Sequence, residues 1–124
     1  MSGNSILLDS NIVLYLLKGD QTLIPLLEEK QLYVSFITQL EILGYKGIKA
    51  KEQEKIKKFL SDCIIVDINA TIKHYTINLR QKYGLKLPDS IIMATSLYLN
   101  TPVITADREF NKVQELDLFY YEKS

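Results

Sequence analysis

The sequence predicts an α/β fold, a three-layer α/β/α sandwich with a mostly parallel five-stranded sheet, in a single domain of residues 1–124. Two observations support this prediction. Short apolar runs, typical of strands buried on both faces, alternate along the chain with segments of helical periodicity. The alternation continues without a linker, a repeat or a low-complexity tract. Strands that alternate with helices require a parallel sheet covered on both faces.

Length and composition are those of an ordinary globular protein. The 124 residues are 47% hydrophobic and 24% charged, and 15 Lys and Arg balance 15 Asp and Glu. No global field therefore favours nucleic acid or a membrane, although a local basic face could still bind phosphates. The single cysteine, Cys63, rules out an internal disulfide and fits a reducing compartment. No apolar run reaches the roughly 18 residues of a membrane span, and no signal peptide precedes the first strand, so we expect a cytoplasmic protein.

The predicted secondary-structure elements begin with a strand and a turn. The apolar run at 6–8 ends at Asp9-Ser10-Asn11, residue types typical of a helix cap, and a helix is expected over about 11–18 with Gly19 at its end. Apolar periodicity, β-rich runs and caps then predict the remaining elements in this order: a helix to about Lys30, a strand at 32–36, a helix at about 38–45, an amphipathic helix through the later part of the lysine-rich segment 46–58, a strand at 64–67, a helix at 69–83 closed by Gly84, a helix at about 87–99, a strand at 102–105, a short helix after Asp107 and an edge strand within 116–121.

Four acids occur near the ends of these elements. In a parallel sheet, the residues that follow the strands meet along one edge. Asp9 follows the first strand, Glu41 lies one turn past the second, and Asp107 follows the fourth. Asp89 begins the long helix before the fourth strand, so topology alone places it at this edge less firmly. Small polar residues accompany the acids, namely Ser10, Asn11, Ser90 and Thr105.

Each acid, taken singly, also has an ordinary structural interpretation. These are a cap of the first helix for Asp9 or Ser10, a capping box with Thr38 for Glu41, a helix start after Pro88 for Asp89, and a cap of the last short helix for Asp107. Four converging carboxylates without a nearby Arg or Lys, however, would repel one another, which requires raised pKa values or a bound cation. Oxygen ligands without His or Cys select Mg²⁺ or Mn²⁺, and such ions activate water and stabilise the charge on a phosphate. The four acids together therefore predict metal-assisted phosphodiester hydrolysis.

Four segments carry a resemblance to a known family. They are Leu7-Leu8-Asp9-Ser10-Asn11 with the apolar helix that ends in Leu16-Leu17-Lys18-Gly19-Asp20, Thr38-Gln39-Leu40-Glu41-Ile42, Leu87-Pro88-Asp89-Ser90-Ile91-Ile92-Met93-Ala94, and Ile104-Thr105-Ala106-Asp107-Arg108-Glu109-Phe110. In this order and spacing, the chain resembles PIN-domain nucleases, and within that family the VapC-type toxins of bacterial and archaeal toxin–antitoxin pairs. The resemblance covers nearly the whole chain.

The resemblance implies a site and an activity. Asp9, Glu41, Asp89 and Asp107 match the four acids that hold Mg²⁺ or Mn²⁺, so they would be both metal ligands and catalytic residues. The residues that match the polar lining of that site are Ser10, Asn11 and Thr105. The implied protein is an endoribonuclease that cleaves RNA, often in a homodimer inhibited by a small antitoxin. In many relatives the acid of the last segment varies or lies among Asn and Arg residues, whereas this chain has Thr105-Ala106-Asp107.

Other interpretations stay open. The chain could be a catalytically silent PIN-like module that binds RNA or a protein. A phosphotransferase of the haloacid dehalogenase type also begins with an acid after its first strand, but that class requires a second Asp where this chain has Asn11. His74, the only histidine, is expected at the surface or in packing. The lysines of 46–58 are expected on a solvated helix face or on an RNA-binding surface, and Arg108 is expected to contact a phosphate or to pair with Glu109.

Overall fold

A computed structural model describes residues 4–123 of the chain. A sheet of five parallel strands lies at its centre, in the order β3-β2-β1-β4-β5. The strands are β1 (Ser5–Leu8), β2 (Gln31–Ser35), β3 (Ile64–Val66), β4 (Val103–Thr105) and β5 (Leu118–Tyr120). The predicted fold class is therefore confirmed, and the fifth strand lies at the edge of the sheet as expected. That residues 1–124 form one domain stays a prediction, since residues 1–3 and 124 lie outside the described residues.

Helices cover both faces of this sheet. They are α1 (Ser10–Leu17), α2 (Leu23–Leu27), α3 (Phe36–Leu43), α4 (Ala50–Ser61), α5 (Ala70–Tyr83), α6 (Leu87–Leu99) and a 3₁₀ helix at Arg108–Lys112. Successive residues of β1 face two different apolar cores. Leu8 packs in a cluster with Ile12 of α1, whereas Leu7 packs in a second cluster with Ile72 of α5. This burial on both faces is that of a central strand in a three-layer fold.

The start of α3 differs from the prediction. The helix begins at Phe36 because Ser35, the last residue of β2, accepts a hydrogen bond from the Ile37 amide at 3.2 Å and caps the helix directly. Thr38 consequently lies inside the first turn of α3, and the prediction of a capping box between Thr38 and Glu41 is wrong. The strand and the helix share a junction without a loop, so the helix starts two residues earlier than the sequence predicts.

A tight turn between α5 and α6 positions the third predicted acid. Gly84 ends α5 with a φ of 66°, a left-handed conformation that suits glycine. Lys86 is extended and is the N-cap residue of α6, and Pro88 follows in the first turn, where its missing N–H costs nothing. Asp89 therefore lies in the first turn of a long helix, at the end nearest the α5–α6 turn.

The other residues of interest lie on the surface. The six lysines of 46–58 are all exposed on α4 and the loop before it. His74 is exposed on α5, where its Nε2 lies 3.2 Å from the side-chain nitrogen of Asn78. Cys63 is half-buried, and burial raises the pKa of its thiol to about 11, which favours the protonated thiol at neutral pH. Within residues 4–123, no helix combines the length and apolar character required to cross a membrane.

Candidate active site

The parallel strands bring three acid-bearing segments to one edge of the sheet. Asp9 follows β1, Asp107 follows β4, and Glu41 lies on α3 directly after β2. Asp89 joins them from α6. Burial is the main cause that raises the pKa of Asp89, and the charges of Asp107, Asp9 and Glu41 raise it further. The four predicted acids are therefore electrostatic neighbours, including the one whose placement topology left open.

Asp9 is the most constrained of these acids. Its side chain is 5% exposed, and both carboxylate oxygens accept hydrogen bonds. The Ser10 amide donates to Oδ1 at 2.7 Å, and the Thr105 hydroxyl donates to Oδ2 at 2.6 Å. Asp9, rather than Ser10, is therefore the N-cap of α1. Burial is the largest influence on the pKa of Asp9 and raises it. The two hydrogen bonds lower this pKa and the charges of Asp107 and Glu41 raise it, so that the net change is an increase.

Thr105 connects two of the acids. It is fully buried, and its Oγ1 donates to Asp9 and accepts a hydrogen bond from the Asp107 amide at 3.0 Å. Asp107 in turn caps the 3₁₀ helix, as predicted, because its Oδ1 accepts a hydrogen bond from the Glu109 amide at 2.9 Å. The ends of β1 and β4 are thus joined by side-chain hydrogen bonds beyond the sheet ladder, which fixes these two acids relative to each other.

Ser10 makes the corresponding link to α3. Its hydroxyl donates to Oε1 of Glu41 at 2.8 Å and lies 2.8 Å from the hydroxyl of Thr38. Glu41 itself is exposed, so the bond to Ser10 orients a carboxylate that faces solvent. Ser90 behaves differently from the other small polar residues, because its hydroxyl donates to the carbonyl of Lys86 at 2.5 Å within its own helix.

Asp89 has the most perturbed acidity in the cluster. Burial, followed by the charges of Asp107 and Asp9, raises its pKa to about 6, and the ammonium of Lys86 acts in the opposite direction. Among residues 4–123, no lysine or arginine forms an ion pair with Asp9, Asp89 or Asp107. The site therefore concentrates negative charge that ion pairs do not neutralise.

The side chains of the four acids have the oxygen atoms that a hard divalent cation prefers, but their spacing does not suit a single ion. All donors are oxygens, and their mutual repulsion would be relieved by positive charge. In the described part of the chain, however, no three His, Cys, Asp or Glu side chains are close enough together to hold one metal ion. The structure brings the four predicted acids to one edge, and their closure around an ion stays a prediction.

Two clefts flank the acids. One, of about 260 Å³, lies between the α5–α6 turn and the 3₁₀ helix and has Asp89 and Asp107 in its wall. The other, of about 550 Å³, lies between α1, α3 and α4 and has Ser10, Asn11 and Glu41 in its wall. Asp89 and Asp107 are consequently reached from one cleft and Glu41 from the other, whereas Asp9 lines neither.

Sequence reasoning missed some neighbours of the acids and left others open. It did not single out Lys86, because a cation at the N-cap has no motif of its own and becomes visible only when the α5–α6 turn is built. Within the described residues, Arg108 forms no ion pair with Glu109. Glu109 pairs instead with Lys112, three residues along the chain, at 2.5 Å.

Known proteins share this sequence pattern and this fold. Residues 6–116 match the family profile of the PIN domain. The toxin–antitoxin complex from Klebsiella pneumoniae contains a similar chain, 32% identical over 95% of this chain and 99% of that one, with a TM-score of 0.82. VapBC-1 from nontypeable Haemophilus influenzae is 26% identical over 96% and 99% of the two chains, with a TM-score of 0.79. VapBC2 from Rickettsia felis, solved with a DNA fragment from its promoter, is 23% identical over 95% and 99%, with a TM-score of 0.85. A comparison with curated protein sequences gives no significant match. The chain belongs to the PIN-domain family and, as predicted, resembles its VapC-type toxins.

Proposed function

We propose that this protein is a metal-dependent endoribonuclease, which hydrolyses RNA phosphodiester bonds with Mg²⁺ or Mn²⁺ and is the toxin of a toxin–antitoxin pair. One observation carries the proposal. In a PIN-domain chain, Asp9, Glu41, Asp89 and Asp107 converge on one edge of the sheet, where burial and mutual repulsion raise the pKa values of Asp9 and Asp89. Acids with raised pKa values and no cationic partner are typical of a functional site rather than of structural ion pairs.

The four carboxylates would hold the cation, and neighbouring residues would orient them. Asp9 is the best-positioned ligand because two hydrogen bonds fix its carboxylate at the end of β1. Thr105 orients Asp9 relative to Asp107, and Ser10 orients Glu41. A bound divalent cation lowers the pKa of a coordinated water and offsets the charge of a phosphate under attack. The chain itself supplies the fixed negative site and the two clefts through which RNA would reach it.

We further propose a small antitoxin as partner and a homodimer as the assembly, both in the cytoplasm. The Klebsiella pneumoniae and Haemophilus influenzae structures named above are toxin–antitoxin assemblies, which supports an antitoxin for this chain as well. Exposed apolar side chains beside the acids offer a contact area for a protein partner. Leu40 on α3 is 58% exposed, and Tyr45 just beyond α3 is 42% exposed.

Cleavage of labelled RNA by the purified protein tests the proposal. We expect hydrolysis with Mg²⁺ or Mn²⁺, none in EDTA, and none from the double variant Asp9→Asn/Asp89→Asn with either ion. Asp67→Asn is the matched control, because Asp67 also follows a strand at this edge, is exposed and lies outside the four acids. Hydrolysis that survives the double substitution would show that another part of the chain, or a contaminant, performs the reaction.

One observation favours the alternative of a catalytically silent PIN-like module. In residues 4–123, the acids stand too far apart for three of them to share an ion. If they keep that spacing in solution, the edge would bind RNA or a protein without cleaving RNA. The same assay distinguishes the two functions. RNA binding that is unaffected by metal, with no hydrolysis of any substrate, would support the silent module and contradict the nuclease.

A further inference from the structure

The cleft beside Asp89 and Asp107 has two lysines in its wall that metal binding does not require. Lys86 is the exposed N-cap residue of α6, and its side chain makes no capping hydrogen bond. Lys112 is exposed at the end of the 3₁₀ helix. Both line the same cleft of about 260 Å³ as the two acids. The wall of this cleft therefore combines carboxylates of the proposed metal site with two positively charged side chains.

The two lysines differ in how far their charge is already neutralised. The Nζ of Lys112 is 2.5 Å from a carboxylate oxygen of Glu109. Lys86, in contrast, takes part in no ion pair within residues 4–123. Lys86 and Asp89 nevertheless line the same cleft, three residues apart on the first turn of α6 and its N-cap. Lys86 thus adds to the cleft wall a positive charge that no ion pair within the described residues neutralises.

An RNA strand needs such a charge at this position. Each nucleotide brings one negative charge to an edge that already carries four carboxylates, and a cation at the acids offsets repulsion only at the phosphate under attack. The neighbouring phosphates need positive groups of the protein. An ammonium on a flexible stem suits this task, because it can reach phosphate oxygens and donate charge-assisted hydrogen bonds.

We propose that this cleft is the subsite for the nucleotide next to the scissile phosphate, and that Lys86 binds the phosphate of that nucleotide. Lys112 makes a second and weaker contact, because its charge is shared with Glu109. The inference rests on the proposed RNA hydrolysis and adds a binding residue outside the four acids. Lys86 holds and positions the strand, and it takes no part in the bond-breaking step.

The experiment measures RNA binding separately from cleavage. The probe is a fluorescein-labelled single-stranded RNA of mixed sequence, and its anisotropy is followed in EDTA over a range of salt concentrations. Loss of one phosphate contact in Lys86→Ala should weaken binding about tenfold and reduce the slope of log K against log salt by about 0.7. Lys86→Arg should retain the affinity and the slope, and Lys112→Ala should show a smaller loss. In the cleavage assay with Mg²⁺, Lys86→Ala should raise KM and leave kcat nearly unchanged.

The control has the same loss of charge at the opposite edge of the sheet. Lys30 directly precedes β2, and Lys30→Ala should leave the affinity, the salt slope and KM at wild-type values. An equal loss in Lys30→Ala would show that net charge alone matters and would overturn the assignment of the cleft. Wild-type affinity, slope and KM in Lys86→Ala would overturn this inference and leave the nuclease intact. If the wild-type protein neither binds nor cleaves RNA, the proposed function fails and the subsite fails with it.

Discussion

The raised pKa of Asp89 predicts that Asp89→Asn makes the protein more stable at neutral pH while it removes a proposed ligand. The pKa lies at about 6 in the folded protein, against an ordinary value of 3.8, and burial is the largest cause. The folded state therefore binds the proton more tightly than the unfolded chain. Between these two values the free energy of unfolding falls as pH rises, and above the folded pKa the full loss is present.

The size of this effect follows from the difference between the two pKa values. At 1.36 kcal/mol per pH unit, the difference corresponds to about 3 kcal/mol, and screening by solvent around a half-exposed carboxylate reduces it to about 1–2 kcal/mol. Asp89→Asn is neutral at every pH and avoids the loss. At about pH 7.5 in EDTA, the variant should exceed the wild type by that amount, or by about 4–8 °C in Tm, with a smaller difference near pH 4.

Urea denaturation followed by circular dichroism at the two pH values measures the difference. The control is Asp67→Asn, which removes the charge of an exposed acid in the same way. This substitution should change the free energy of unfolding little. Addition of Mg²⁺ should stabilise the wild type more than the Asp89→Asn variant, because the proposed ion would bind the folded state through this carboxylate. An Asp89→Asn variant that is no more stable than the wild type at about pH 7.5 would refute the account of repulsion and burial at this site.

Substitutions at three further positions test the hydrogen bonds and the backbone around the site by urea denaturation. Thr105→Val removes the hydroxyl that donates to buried Asp9, so it should cost about 1–3 kcal/mol and reduce RNA cleavage, whereas Thr105→Ser should restore both. Unchanged cleavage in Thr105→Val would contradict an orienting role. Tyr121→Phe removes the hydroxyl that lies 3.0 and 3.1 Å from the carboxylate oxygens of Asp20, and it should cost about 1 kcal/mol without affecting cleavage. Gly84→Ala imposes a side chain on a φ of 66° and should cost about 1–2 kcal/mol, so wild-type stability would argue against this turn.

The sequence predicts the sheet and the gathering of the acids well because both depend on simple regularities. Continuous apolar runs mark buried strands, and parallel strands necessarily end at one edge, which brings Asp9 and Asp107 together. Asp89 is less predictable, because its position depends on the three residues between α5 and α6 rather than on strand order. The capping box at Thr38 fails for a related reason. The same Ser35 ends a strand and caps a helix, and no local pattern shows that both elements use it.

The structural and functional interpretations of the acids turn out not to exclude each other. Asp9 uses one carboxylate oxygen to cap α1 and the other to accept the Thr105 hydroxyl, and Asp107 caps the 3₁₀ helix. A cap fixes a carboxylate at the junction between a strand and a helix, and in a parallel sheet such junctions lie side by side. The two proposed ligands that are also caps, Asp9 and Asp107, would therefore be oriented before a cation binds. The hydrogen bonds that orient Asp9 also lower its pKa, and they oppose the larger effect of burial. The bonds from Thr105 and Ser10 thus favour the ionised form of Asp9, which is the form that a cation would bind.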